Sequence, residues 1–186
     1  MKKFAAVLLA GGRSSRMRAN KAFLEYHGMP MWRFQIDKLS ELGPDQLFLS
    51  VQRTAEFPAG PWRFVHDRSA ELGPLGGLEA ALRQAHSEFL LTLAVDMPRM
   101  TVSFLRELLE QSGSTGTTPL LDGFYCGTAT VYPVRILSLV EETLVGKDRS
   151  FQRLIGEAIK CGMLKAKEIP ASRAALFSNW NSPEDL

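Results

Sequence analysis

The stretch 9–21 of this chain reads Leu-Ala-Gly-Gly-Arg-Ser-Ser-Arg-Met-Arg-Ala-Asn-Lys, with four cations (Arg13, Arg16, Arg18, Lys21) and no acid beside two adjacent glycines. Gly11 and Gly12 let the backbone turn tightly and expose N–H groups to an anion. Arg16 and Lys21 can reach into the same space, Arg as a planar fork and Lys as a point charge. That combination suits a compact polyanion such as a phosphate chain. A plain strand-to-loop turn with solvated cations is the other reading of the same residues. The Gly-Lys-Ser/Thr ending of the P-loop is absent, and so is the Gly-x-Gly-x-x-Gly dinucleotide fingerprint.

Four further segments carry groups of matching chemistry. Asp96 stands in Ala94-Val95-Asp96-Met97-Pro98, directly after an apolar run. A carboxylate there can bind Mg²⁺, which often takes one or two protein carboxylates and completes its shell with phosphate oxygens and water. It can equally cap a turn before Pro98. Asp67 follows Phe64-Val65-His66 and could accept hydrogen bonds from a base or ribose, or serve as a turn residue. The segment 73–77, Gly-Pro-Leu-Gly-Gly, reads as a flexible turn entering a helix, and Gly76 could lie against a base or sugar. Asn179 and Asn181 could bring amides to the site or form a turn before Ser182. His27, His66 and His86 show no metal-ligand spacing, Cys126 has no CxxC neighbour, and no Ser/His/Asp arrangement occurs. Trp32, Trp62 and Trp180 read as packing residues.

The elements that must hold these groups follow from periodicity. Residues 4–10 form a continuous apolar run, as in a strand of a parallel sheet buried on both faces. Residues 47–51, 63–66 and 89–95 read as further strands. Residues 127–132 alternate weakly like a strand, and 164–169 read as a late one. Pro30 can start a helix in which Trp32, Ile36 and Leu39 share a face, ending at Gly43-Pro44. Helices are also predicted over 78–85, from Thr101 as cap, over 133–144 and over 150–158, with 113–118 as a loop. Strands alternating with helices imply right-handed crossovers and a mainly parallel sheet. Ligands of such sheets bind past the carboxyl ends of the strands. Gly11-Gly12 and Asp96 both follow strands, so both are expected at one rim.

The 186 residues suit a single domain with an ordinary soluble composition, 45% hydrophobic and 23% charged. A net charge of +2 is too small to point to nucleic acid. The apolar run after Lys2-Lys3 is interrupted by Gly11-Gly12-Arg13, which favours a strand over a signal core. No stretch approaches the roughly 20 apolar residues of a membrane span. Cys126 and Cys161 are expected as buried or half-buried thiols in a reducing compartment, and the protein as cytoplasmic.

In this order, Leu-Ala-Gly-Gly-x-x-x-Arg-Met with a following Lys, then Gly-Pro-Leu-Gly-Gly, then Asp-Met-Pro, then Asn-x-Asn-Ser-Pro-Glu-Asp resemble the molybdenum cofactor guanylyltransferases over essentially the whole chain. The opening motif is shared by sugar-phosphate and pterin nucleotidyltransferases. The resemblance implies a three-layer α/β sandwich with a mainly parallel central sheet, a Rossmann-like nucleotidyltransferase fold. It implies that Leu9, Ala10, Gly11 and Gly12 contact the nucleotide, Lys21 the phosphates and Asp67 the nucleoside, while Asp96 holds Mg²⁺. Arg16, Lys21 and Asp96 would then be the catalytic groups. The implied reaction joins GMP from GTP to molybdopterin and releases pyrophosphate, with other molybdenum cofactor proteins as transient partners.

The chain departs from the family pattern at Arg18-Ala19-Asn20-Lys21, where the family usually has Gly-x-Asp-Lys. Ser50 aligns with a frequent asparagine of the nucleotide site. A CTP-using relative and a nucleotide-binding homologue without catalysis are therefore the alternative readings. The basic stretch 147–150 is a second candidate anion site.

Overall fold

The computed structural model describes residues 3–11, 21–52, 57–67 and 72–180. Strand β1 (Phe4–Leu9) is buried along its whole length. After it come a short helical turn, Lys21–Phe23, and a small hairpin of β2 (Glu25–Tyr26) and β3 (Met29–Pro30). Helix α1 (Met31–Glu41) starts right after Pro30 and buries Trp32, Ile36 and Leu39. Strands β4 (Gln46–Ser50) and β5 (Arg63–Val65) precede helix α2 (Gly73–Gln84). Strand β6 (Phe89–Ala94) leads to helix α3 (Val102–Gln111), where the Thr101 hydroxyl caps Phe104 N–H. Strands β7 (Gly116–Leu121), β8 (Phe124–Tyr125) and β9 (Val131–Pro133) come next. Helices α4 (Leu137–Val145) and α5 (Phe151–Lys160) and strand β10 (Leu164–Glu168) complete the layers.

The sheet runs β10-β7-β9-β6-β1-β4-β5, with β8 paired to β7. The β1–β4, β1–β6, β4–β5 and β7–β10 pairs are parallel, and β9 runs against both its neighbours. The sheet is thus mainly parallel, as expected from alternating strands and helices. Burial splits along β1 with the period of two that a pleat imposes. Phe4, Ala6 and Leu8 pack with α1 and α3 on one face, and Ala5, Val7 and Leu9 with α2, α4 and α5 on the other. The result is the three-layer sandwich.

Five sequence expectations change. The Gly-Pro-Leu-Gly-Gly segment is not a turn but the start of α2, entered with Gly73 at φ +58°. Residues 116–121 form a strand that begins inside the stretch 113–118 expected as a loop, and the 127–132 strand shrinks to Val131–Pro133. The helix expected from Pro133 begins as a tight turn, Val134–Ile136, and becomes α-helical at Leu137. Cys161 is exposed rather than buried, whereas Cys126 is half-buried as expected. Among the described residues no helix is long and apolar enough to cross a membrane.

Candidate active site

Because β1, β4, β5 and β6 are parallel, their carboxyl ends share one rim, and the segments that follow them meet there. Ala10 N–H donates to Ser50 O at 3.0 Å and Val95 N–H to Leu9 O at 3.1 Å, which holds the ends of β1, β4 and β6 together. Gly11 follows, half-buried. Gly12, Arg16 and the rest of 12–20 lie outside the described residues, as does Asn181.

Lys21 and Asp96 come together across this rim, Nζ to Oδ2 at 3.8 Å, each about a quarter exposed. Burial pushes the Asp96 carboxyl up from its ordinary range, and the Lys21 ammonium opposes that shift. Asp96 is held by its backbone as well: Trp180 N–H donates to its carbonyl at 2.8 Å. Trp180 is itself buried and packs edge-on to Tyr26, ring centroids 4.8 Å apart. It is a packing residue, as read from sequence. It brings the segment of Asn179 beside Asp96, with Asn179 exposed.

Asp67 ends the β5 segment and packs on the first turn of α2. A Cβ added at Gly76 would lie 2.9 Å from Asp67 Cγ, so the absence of a side chain there lets the carboxylate approach the helix. Burial pushes the Asp67 carboxyl up to about 6, Glu79 adds to the shift and His66 opposes it. Its Oδ1 is buried with no hydrogen-bond partner among the described residues. A buried acceptor in that state is unusual and suits a ligand donor. Ser50 is buried beneath α2, where a Cβ at Gly77 would overlap its hydroxyl.

Sequence reasoning did not single out Gln35 or Lys38. Neither carries a sequence signal, because their partners are distant backbone atoms. Cys126 lies close enough to Asp96 to feel its charge, and burial pushes its thiol up to about 11. It therefore stays protonated and is no nucleophile. The 147–150 stretch is a largely exposed loop in which Asp148 Oδ1 accepts from Ser150 N–H.

Among the described residues no three His, Cys, Asp or Glu side chains cluster to hold a metal. A lone carboxylate such as Asp96 fits an ion of the Mg²⁺ type, which needs few protein carboxylates, and does not fit a closed all-protein cage.

The chain matches the MobA-like NTP transferase domain over residues 6–161. A probable molybdenum cofactor guanylyltransferase of Opitutus terrae is 29% identical over 97% of this chain and 92% of its own length. The molybdenum cofactor guanylyltransferase of Pseudomonas putida is 30% identical over 97% and 94%. A solved nucleotidyl transferase from Methanothermobacter superposes with a TM-score of 0.77 at 19% identity over 98% of this chain and 94% of its own. Molybdopterin-guanine dinucleotide biosynthesis protein A from Archaeoglobus fulgidus gives 0.72 at 19%, with the same coverage. The two solved structures bear on the fold, and the domain match and sequence relatives on kinship: this chain belongs to the MobA-like NTP transferase family of nucleotidyltransferases.

Proposed function

We propose that this protein transfers GMP from GTP to molybdopterin, forming the guanine dinucleotide of the cofactor and releasing pyrophosphate. The observation that carries this reading is full-length kinship with molybdenum cofactor guanylyltransferases, joined to Lys21 and Asp96 facing each other at one strand rim. The terminal phosphate of the acceptor is already largely ionised near neutral pH, since its second pKa is about 6. It attacks the α-phosphorus of GTP in line. One phosphorus–oxygen bond forms as the bond to the leaving pyrophosphate breaks.

No protein general base is needed, which agrees with the neutral Cys126 thiol. The chain must align two anions and offset the charge between them. Asp96 would hold Mg²⁺, which when bound polarises phosphoryl oxygens. Lys21 and Arg16 would stabilise the leaving phosphates. Asp67, with its unpartnered Oδ1, would accept a hydrogen bond from the nucleoside, and Leu9 to Gly12 would line the nucleotide with backbone groups. Asn179 and Asn181 would bring amides to the site, Asn179 from the segment that the Trp180 anchor holds beside Asp96.

The test is pyrophosphate release by the full chain with molybdopterin, Mg²⁺ and each of the four nucleoside triphosphates. Release with GTP alone is expected. Release with CTP in place of GTP would overturn the base assignment, and GTP binding without release would overturn catalysis.

A further inference from the structure

Helix α1 is fastened to both charged groups of the site. At its start, Met31 N–H donates to Leu24 O at 2.8 Å, and Leu24 N–H donates to Lys21 O at 3.2 Å. The helix therefore holds the turn that carries Lys21. One turn further, Gln35 Nε2 donates to Ala94 O at 3.2 Å and to Val95 O at 3.4 Å. Lys38, on the same helix face, places Nζ 2.6 Å from Pro98 O and 2.8 Å from Met100 O. Asp96 lies between those two pairs of carbonyls. Its own carbonyl is taken by Trp180 N–H, and that of Met97 by Met100 N–H. Every backbone carbonyl from Ala94 to Pro98 thus has a donor, and three of the five come from two side chains of α1.

Two features show that these bonds are not incidental. Gln35 is fully buried, and its Oε1 has no hydrogen-bond partner among the described residues. A buried orphan acceptor costs stability, and a hydrophobic residue would avoid it. The chain retains the amide at the position where its N–H groups reach Ala94 and Val95. Lys38 is also partly buried. Desolvation lowers its ammonium to about 8, yet at neutral pH it remains mainly in the form with three donors. Its Nζ stands 4.2 Å from the centroid of the Phe34 ring, which limits where the charge can point.

We propose that Gln35 and Lys38 are positioning residues that make α1 a ruler between the Lys21 turn and the Asp96 loop, setting the 3.8 Å approach of the two side chains. The proposal rests on the roles given above to Lys21 and Asp96. Neither Gln35 nor Lys38 touches substrate on this account.

Lys38→Met in the full chain tests it, because methionine keeps the length of the side chain and loses all donors. Pyrophosphate release from GTP and molybdopterin is followed in steady state, and GTP binding by its melting shift. The expected result is a fall in kcat of roughly 10- to 100-fold, since a misplacement of about 1 Å remote from the chemistry can cost that much. KM for GTP and the melting shift stay at the wild-type values. Lys38→Arg should restore most of kcat, because its fork can reach both carbonyls. In an Asp96→Ala background Lys38→Met should cost nothing more, since the two changes then remove the same interaction. If Lys38→Met does not fold, Lys38→Leu, which likewise has no donor, replaces it with the same expectations. Wild-type kcat in the single variant, or an equal loss in both backgrounds, overturns the ruler alone. A wild-type protein without transfer activity overturns the proposed function and the ruler with it.

Discussion

Two aspartates end the segments after parallel strands at the same rim, and they are held there differently. Asp96 faces the Lys21 ammonium at 3.8 Å, which opposes the upward push of burial. At Asp67 burial pushes the carboxyl up to about 6 against an opposing His66 and with a smaller addition from Glu79, and one oxygen has no partner among the described residues. The backbones differ as well. The Asp96 loop is hydrogen-bonded carbonyl by carbonyl, while Asp67 is placed by packing against α2. One carboxylate is thus paired with a cation in a fixed position. The other is a hydrogen-bonding group whose charge burial makes costly. On the proposed mechanism this divides the site into a transfer side and a recognition side.

Removing the charge on the transfer side should have the largest effect. Asp96→Ala is expected to lower kcat by roughly 10²–10³-fold, the range seen when one preorganised electrostatic contact is removed. Steady-state pyrophosphate release measures it, and full Mg²⁺-dependent activity in that variant would erase the distinction between the two aspartates. Lys21→Met should come next, with kcat/KM for GTP down on the order of 10–100-fold, because a charge-assisted contact to phosphate is lost. A variant with ordinary GTP binding and turnover would remove Lys21 from the site.

The two sides also differ in how far the sequence reveals them. Continuous apolar runs marked β1 and β6, so the positions of Gly11 and Asp96 past strand ends were legible. The start of α2 was not, because glycine and proline argue for a turn on local propensity. Tertiary packing overrides that preference: the helix must approach Ser50 and Asp67 more closely than any side chain allows. β7 was hidden for a related reason. Its Gly-Thr-Thr-Pro start resembles a loop, yet Thr117 and Thr118 are fully buried, and the Thr118 and Thr130 hydroxyls are 2.8 Å apart. Gln35 and Lys38 look like the polar face of an amphipathic helix. Their acceptors lie about 60 residues away and are backbone atoms, which no spacing in the sequence encodes.

Packing beneath the recognition side gives the next prediction. A methyl group at Gly77 would overlap Ser50 Oγ and stand 3.0 Å from Leu9 Cδ2, both on buried strands. Gly77→Ala should therefore destabilise the fold by about 1–3 kcal/mol, the usual cost of overpacking. For a chain of this size that corresponds to a fall in Tm of roughly 2–12 °C. Ser50→Ala in the same protein should recover part of the loss by removing the overlapped oxygen. An unchanged Tm for Gly77→Ala would mean that α2 does not depend on this close approach.

The smallest effect is expected at Asp67, and its direction with pH is what matters. The carboxyl titrates near 6 in the folded protein against an ordinary 3.8. Between those values the folded state binds more protons than the unfolded state. The stability contributed by this group is therefore complete below 3.8, declines as pH rises through 6, and is gone above it. Asp67→Asn removes the ionisation. After allowing for water at a partly exposed group, the variant should gain on the order of 1–2 kcal/mol relative to wild type at about pH 8, and much less at about pH 4. Thermal melts across that range measure the crossing. GTP binding should weaken a few-fold, because an amide oxygen is a poorer acceptor than a carboxylate, by about the 1 kcal/mol that separates neutral from charge-assisted hydrogen bonds. A variant equally destabilised at both pH values would mean that burial puts no cost on the Asp67 charge, and the two sides of the site would no longer differ in kind.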